Sequence, residues 1–240
     1  MKRSTEHNRF LRGMSHGIPI ALGYLSVSFG FGIEAVKRGI SPFAAAMISL
    51  TNLTSAGQAA GIDIIAAGGA LIEMILVQLT INIRYSLMAL SLSQKLDKSF
   101  TFPHRLAASF GITDEIFGVC AAQKEKLTPA YMYGMIMIAS AGWVTGTALG
   151  AAAGQLLPAS ISAAMGIVLY AMFLAIIIPP ARKERSVLAA VTAAALISVL
   201  FRYVFTAVSG GFAIIISAVI ASAAAALLFP VKDDDEEAEA

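Results

Sequence analysis

Long apolar runs are the feature that most restricts the fold of this chain. They recur with short polar connections, at about residues 16–36, 42–69, 70–92, 106–122, 130–157, 160–178, 187–208 and 211–230. A helix that crosses a bilayer needs about 20 mostly apolar residues. None of the runs alternates as a β-strand does, and lipid admits only helices or closed barrels. The sequence therefore predicts an all-α, polytopic integral membrane protein.

Charged residues are scarce, and their placement is uneven. They make up 13% of the chain, about half the 25% typical of soluble domains. Six of the fifteen acids lie in residues 231–240, which predicts a disordered acidic tail. Basic residues gather at run ends, where they orient a membrane protein rather than bind nucleic acid. We expect one transmembrane domain over residues 1–230, in the cell membrane, with lipid around it and a cytoplasmic N-terminus.

The second run does not have the composition of a plain helix. The stretch "SLTNLTSAGQAAGID", Ser49–Asp63, carries hydroxyls, amides, glycines and a carboxylate at membrane depth. Irregular backbone is tolerated there only inside protein or beside a water-filled cavity. We therefore predict a helix that is broken near Thr54–Gln58, as a re-entrant pair.

Basic clusters bear on the topology. They lie at the N-terminus and at about residues 95–105 and 182–185. About eight simple spans would place residues 95–105 outside, against the positive-inside rule. If the second and sixth runs return to the side they entered from, all three clusters are cytoplasmic and residues 124–126 lie outside. We predict about six full spans plus two broken or re-entrant segments, with about eight spans as the alternative.

A weak internal repeat accompanies this scheme. Arg84-Tyr85 recurs as Arg202-Tyr203, at an offset of 118 residues. The repeat would divide the domain into halves at 13–122 and 130–230. The re-entrant topology would make the halves inverted, as in many secondary transporters.

A ladder of small residues marks the fifth run, at Gly142, Gly146, Gly150 and Gly154. Small residues at this spacing let helix backbones approach closely in membranes. We expect the ladder to serve helix packing.

The third run carries Asn82 and Arg84 near its middle. A central arginine costs at least about 2.5 kcal/mol to insert, so intramembrane charges are candidates for function. Arg84 could receive a substrate carboxylate with its two-pronged guanidinium, or it could snorkel or pair with an internal acid. Asn82 lies on a different helix face, where it could cap broken backbone or hold a neighbouring helix.

Asp114 and Glu115 are adjacent carboxylates inside the short run 106–122. They cannot share one helix face, so at least one needs water, a partner or a proton. A carboxylate poised in this way could relay protons or receive an ammonium group. The alternative is a salt bridge to Arg84 or Arg202 that locks the helices together.

The sequence lacks the common metal-binding and phosphate-binding motifs. Cys120 is the single cysteine, so an internal disulfide or a cysteine-based metal site is excluded. Neither H-E-x-x-H nor the phosphate-binding G-x-x-x-x-G-K-[ST] occurs. We expect no enzyme activity, no metal and no cofactor.

Several segments together carry a family resemblance over about Gly13–Phe205. They are "GIPIALGYLSVSFGFG", "SLTNLTSAGQ", "INIRYSLMALSL", "TDEIF" and "GWVTGTALGAAAGQLLP". The chain resembles the AzlC family, the large subunits of two-component branched-chain amino-acid exporters. The resemblance implies export of neutral hydrophobic amino acids together with a small membrane subunit of the AzlD type.

The polar residues can be assigned roles on this basis. An amino acid is a zwitterion, so a site of low dielectric needs a counter-charge for each end. Arg84 would hold the carboxylate, and Asp114 or Glu115 would meet the ammonium or carry a coupling proton. The substrate site would also include Asn82, Gln58 and Gly57. The alternative is a non-transporting scaffold or partner subunit whose charges are structural salt bridges; a channel is disfavoured because no polar stripe repeats.

Overall fold

The part of the chain that the structure describes is built from helices joined by short loops. This computed structural model describes residues 2–153, 158, 160, 167, 171, 174 and 177–230. Its helices are α1 (Lys2–Lys37), α2 (Pro42–Thr51), α3 (Ser55–Ala66), α4 (Leu71–Ser93), α5 (Phe102–Ser109), α6 (Asp114–Ala122), α7 (Pro129–Ala153), α8 (Arg185–Tyr203) and α9 (Gly210–Leu228). Residues 177–183 are also helical. The helices α1, α4, α7, α8 and α9 are long and apolar enough to cross a membrane. The predicted all-α membrane fold is confirmed.

The helices α1 and α7 form a tightly packed central pair. A Cβ atom on Gly13 would lie 2.0 Å from the Tyr131 carbonyl oxygen, and one on Gly150 would lie 2.0 Å from the Phe29 carbonyl oxygen. The contacts advance in the same direction along both helices, so the two helices run parallel. The predicted packing role is confirmed for Gly142, Gly146 and Gly150, each of which abuts the backbone of α1. Gly154 lies outside the described residues.

The helices α2 and α3 form a re-entrant pair, the first hairpin. Arg38, which follows α1, pairs with Asp63 near the end of α3. The chain therefore returns to the side at which α2 began, as predicted for the second run. The break falls at residues 52–54, slightly before the expected Thr54–Gln58, because Ser55 already starts α3.

A second hairpin, α5 and α6, replaces the expected marginal span over 106–122. The Lys95 ammonium donates to the carbonyl oxygens of Ala121 and Gln123. The Lys126 ammonium in turn donates to the Gln94 carbonyl oxygen at 2.9 Å. Both ends of the hairpin therefore lie on one side of the membrane. Both predicted topologies are wrong here, because each placed residues 124–126 opposite residues 95–105.

The helices α8 and α9 form an antiparallel pair at the edge of the molecule. The turn between them spans residues 204–209, and the Ser198 hydroxyl donates to the Ser217 hydroxyl at 3.4 Å. Glu73 at the start of α4 is 6% exposed and accepts hydrogen bonds from the Ser209 hydroxyl at 2.5 Å and the Gly211 N–H at 3.0 Å. The helices α4 and α9 therefore begin at the same end of the molecule, and α8 begins at the opposite end.

These contacts define two sides of the protein. Arg12 pairs with Glu125 at 3.2 Å, so the start of α1 shares a side with residues 94–98 and 121–128. We call this the N-terminal side, and the side that holds Arg38 the far side. The start of α8 also falls on the N-terminal side. The three predicted basic clusters therefore share one side.

The structure differs from the predicted inverted repeat. The first helices of two inverted halves would cross in opposite directions, yet α1 and α7 run parallel. Arg202 and Tyr203 are exposed at the far-side end of α8, unlike Arg84 and Tyr85. The division into halves at 13–122 and 130–230 stays a prediction. Most of the sixth run, 160–178, and the acidic tail, 231–240, lie outside the described residues.

Candidate functional site

The unwound tip of the first hairpin lies at residues 52–54. The Asn52 side-chain oxygen accepts hydrogen bonds from the Thr54 N–H at 3.0 Å and the Thr54 hydroxyl at 2.7 Å. Asparagine favours such local turns because its side chain can replace a backbone partner. This turn ends α2 and lets α3 begin with its N-terminus at the tip.

The tip of the second hairpin is made by residues 110–113. Thr113 caps α6: its side-chain oxygen accepts from the Ile116 N–H at 3.4 Å. Asp114 and Glu115 occupy the first turn of α6, where acidic side chains are favoured by the helix dipole. The sequence contains this signal, since a glycine at 111 followed by Thr-Asp-Glu is typical of one helix ending and another starting.

An ion pair joins the second tip to α4. A terminal nitrogen of Arg84 lies 2.8 Å from an Asp114 carboxylate oxygen. The guanidinium also lies over the Tyr85 ring, 4.9 Å from its centroid, and donates to the Tyr85 hydroxyl at 3.1 Å. The Arg84 side chain is 36% exposed and that of Asp114 26%. The salt bridge that the sequence offered as an alternative to substrate binding is therefore formed in this state.

Glu115 has a different partner, on α1. The Tyr24 hydroxyl donates to a Glu115 carboxylate oxygen at 2.5 Å and lies 2.6 Å from the Thr113 hydroxyl. The Tyr24 ring meets Trp143 of α7 edge to face, with centroids 5.2 Å apart. Tyr24 was not identified from the sequence, because a tyrosine in an apolar helix gives no signal of its own. The adjacent carboxylates thus point to separate partners, Arg84 and Tyr24.

A small cleft lies where the two tips meet. Its volume is about 10 Å³, room for about one water molecule. Carboxylates and tyrosines form its polar wall, and a leucine and the tryptophan form its apolar wall. The lining residues are Tyr24, Leu53, Ser55, Tyr85, Thr113, Asp114, Glu115 and Trp143. Both hairpins, α1, α4 and α7 therefore contribute to one site.

Gln58 does not line the cleft but holds Trp143, which does. It is 1% exposed, and its side-chain oxygen accepts from the Trp143 indole N–H at 2.8 Å. Its amide nitrogen donates to the Ser49 hydroxyl at 3.1 Å, which lies 2.7 Å from the Thr147 hydroxyl. Gln58 was predicted to line the substrate site; the structure places it behind Trp143.

Asn82 and Gly57 are brought together through Gln78, which the sequence reasoning missed. The Asn82 amide donates to the Gln78 side-chain oxygen at 3.0 Å, and the Gln78 amide donates to the Gly57 carbonyl oxygen at 2.8 Å. A Cβ on Gly57 would lie 2.3 Å from the Thr54 hydroxyl oxygen. The side-chain oxygen of Asn82 is buried without a hydrogen-bond partner among the described residues. These residues fix the start of α3 against α4.

The arrangement would allow a zwitterionic ligand to replace the direct ion pair between Arg84 and Asp114. One guanidinium and two carboxylates converge at the hairpin tips, so a ligand carboxylate could replace Asp114 on Arg84 while its ammonium meets Asp114. Within the described residues, no three histidine, cysteine or acidic side chains are grouped to hold a metal. The chemistry of the site is that of ion pairing.

Comparison with known proteins places this geometry in a family. The family profile described as AzlC protein matches residues 19–157, more than half of the chain and all the residues that line the cleft. The chain belongs to the AzlC family. The AzlC match runs from α1 past the end of α7, so the family relationship covers both hairpins.

Relatives of this AzlC chain are membrane proteins. An uncharacterized membrane protein of Archaeoglobus fulgidus is 32% identical over 188 residues, covering 78% of this chain and 82% of that protein. The inner membrane protein YgaZ of Escherichia coli K12 is 28% identical over 185 residues, covering 74% and 75%. A membrane protein of Helicobacter pylori 26695 is 28% identical over 150 residues, covering 61% and 64%. No solved structure matches the chain significantly.

Proposed function

We propose that this AzlC protein is a secondary transporter that exports branched-chain or similar neutral hydrophobic amino acids across the cell membrane. The observation that carries the proposal is the Arg84–Asp114 pair, 2.8 Å apart, at the meeting point of two broken hairpins. Transporter sites are often built at broken helices, where irregular backbone lines a cavity at membrane depth. Charged side chains in such a place are expensive to bury and mark substrate or ion pathways.

The substrate class follows from the charges and the walls of the cleft. A zwitterion needs a positive and a negative partner in a medium of low dielectric. Arg84 supplies two-pronged donors for a carboxylate, and Asp114 supplies the acceptor for an ammonium. Leu53 and Trp143 offer apolar surface to a hydrophobic side chain. The cleft is closed around about one water in this state, so substrate entry requires a hairpin tip to move.

Glu115 supports proton coupling. Its carboxylate is held by the Tyr24 hydroxyl at 2.5 Å, separate from the Arg84–Asp114 pair. Protonation of Glu115 would remove the charge that the Tyr24 hydroxyl donates to and would add an O–H donor, and so would change the contact between the second hairpin and α1. In the proposed cycle this contact links a proton to the opening of the cleft.

The proposal also covers the orientation of the protein in the membrane and its partner subunit. Cytoplasmic loops carry an excess of lysine and arginine, and most basic residues lie on the N-terminal side, which we assign to the cytoplasm. A small AzlD-type membrane subunit acts with the chain, as the family resemblance implies. The helix α8 has no buried residue among those described, which leaves its surface for lipid or for such a subunit.

Efflux of labelled leucine and valine from membrane vesicles tests the proposal, with and without a pH gradient and with and without a co-expressed small subunit. Arg84→Lys keeps the charge but removes the fork, so we expect transport to fall at least tenfold, about the value of one lost charge-assisted hydrogen bond. Asp114→Asn should have a similar effect. Arg202→Lys is the matched control, since Arg202 is exposed and remote from the cleft. Wild-type vesicles that move neither amino acid under any condition would refute the proposal.

A non-transporting scaffold is the second candidate, because the ion pair is already formed. A salt bridge that only holds helices together should tolerate exchanging its two charged residues, whereas a substrate-binding pair should not. The double variant Arg84→Asp/Asp114→Arg should fold and yet fail to transport if the pair binds substrate. Transport that survives Arg84→Lys and Arg84→Ala at normal expression would favour the scaffold.

A further inference from the structure

A second cavity lies on the N-terminal side, next to the tip of the second hairpin. Its volume is about 220 Å³, far larger than the cleft itself. The helices α4, α5 and α7 enclose it, together with the loop before α5 and the tip of the second hairpin. The lining residues are Ala89, Leu92, Ser93, Leu96, Phe100, Arg105, Ala108, Ser109, Ile112 and Met132.

The cavity continues the surface that forms the cleft. On α4, Ala89 follows Tyr85 by one helical turn, so the two lie on the same face. On the second hairpin, Ile112 lines the cavity and is two residues from Asp114, which lines the cleft. From Tyr85 to Ser93 the helix rises about 12 Å. The cavity therefore borders the tip of the second hairpin on the N-terminal side of the cleft.

The chemistry of the cavity is apolar with one positive charge. Leu92, Phe100 and Met132 are buried side chains that form its wall. Arg105 is its only charged lining residue among those described. The Arg105 Nε–H donates to the Phe100 carbonyl oxygen at 3.4 Å, and no acid pairs with its guanidinium in the described chain. An apolar wall beside an exposed guanidinium that no acid of the described chain neutralises fits a ligand with a carboxylate and a hydrophobic side chain.

We propose that this cavity is an entry subsite for the transported amino acid, with Arg105 holding the carboxylate and the apolar wall holding the side chain. The proposal rests on the proposed function and adds a second site to it. Substrate arriving from the N-terminal side binds here first and then passes Ile112 to reach the Arg84–Asp114 pair. No acidic side chain among the described residues lines the cavity, so the ammonium end stays in water and binding is weaker than at the cleft.

Sided transport measurements test the subsite. Arg105→Gln should raise the KM for leucine offered on the N-terminal side about tenfold, the value of one charge-assisted hydrogen bond, and leave the KM for leucine offered on the far side unchanged. A merely structural role would change both. Lys98→Gln is the control, since Lys98 is an exposed cation on the same side that does not line the cavity.

Filling the cavity is an independent test. Ala108 is 3% exposed and lines the cavity, and Ala108→Phe places a ring in the space that the substrate side chain would occupy. Ala107→Phe adds the same ring to the exposed neighbour. We expect the first variant to raise the N-terminal-side KM and the second to leave it unchanged.

Three outcomes are separable. If the wild type moves no amino acid, the proposed function fails. If the wild type transports and Arg84→Lys is impaired, but Arg105→Gln and Ala108→Phe behave as their controls, the entry subsite fails alone. If Arg105→Gln lowers only the amount of anionic lipid that copurifies, with the leucine KM unchanged, the cavity binds a lipid headgroup and the subsite is likewise refuted.

Discussion

Replacing Gly150 by alanine tests the central packing of the protein. The added Cβ would lie 2.0 Å from the Phe29 carbonyl oxygen, 2.7 Å from the carbonyl carbon and 2.9 Å from Cα. All three atoms are backbone, so no side-chain rotation relieves the contact. The α1 and α7 backbones must separate, and overpacking of this kind costs about 1–3 kcal/mol. Alanine also gains about 1 kcal/mol of helix propensity over glycine, so we expect the free energy of unfolding to fall by up to about 2 kcal/mol.

Gly23→Ala is the matched control on the partner helix. A Cβ there meets no atom of the described residues within 4 Å, and alanine is favoured over glycine within a helix by about 1 kcal/mol. The two identical chemical changes should therefore shift stability in opposite directions. Denaturant titration in detergent micelles measures the difference, with the fluorescence of Trp143, the single tryptophan, as the reporter. Equal shifts for both variants would show that α1 and α7 are not packed backbone to backbone.

Three further predictions concern topology and buried hydrogen bonds. Lys98→Cys and Lys124→Cys should react with an impermeant thiol reagent from one side of the membrane and Ala67→Cys from the other; labelling of the two lysine positions from opposite sides would exclude the second hairpin. Glu73→Ala should lower stability by about 1–3 kcal/mol, because the Ser209 hydroxyl and the Gly211 N–H lose their acceptor at the start of α9; an unchanged melting temperature would argue against that contact. Trp143→Phe leaves a buried amide oxygen without its donor and should cost about 1–3 kcal/mol, measured by circular dichroism; a neutral effect would mean that the oxygen has another partner.

Much of the fold could be predicted from hydropathy. The runs 70–92 and 211–230 correspond closely to α4 and α9, since a membrane helix must satisfy its own backbone and cover it with apolar side chains. The first hairpin could also be predicted from the sequence, because polar residues and glycines interrupt the apolar run 42–69. The second hairpin was not foreseen from run 106–122, because its apolar content is the same whether the segment crosses or turns back. The residues Thr-Asp-Glu at 113–115 do indicate from the sequence alone that a new helix starts there.

The candidate site divides in the same way. The sequence singled out Arg84, Asp114 and Glu115, since a charge within an apolar run is conspicuous without any structure. It did not identify Tyr24 or the role of Trp143, because aromatic side chains are ordinary in membrane helices. Their importance comes from their neighbours, which lie far away in the chain.

The sequence by itself determined that this protein is helical, lies in a membrane and buries both signs of charge, because these properties depend on the solvation of each segment separately. Only the tertiary structure decided that Arg84 meets Asp114, that Glu115 meets Tyr24, and that two hairpins reach the same point from opposite sides. These pairings depend on where helices lie relative to one another. Hydropathy contains no information on that placement, since any arrangement that covers the backbone satisfies it equally well.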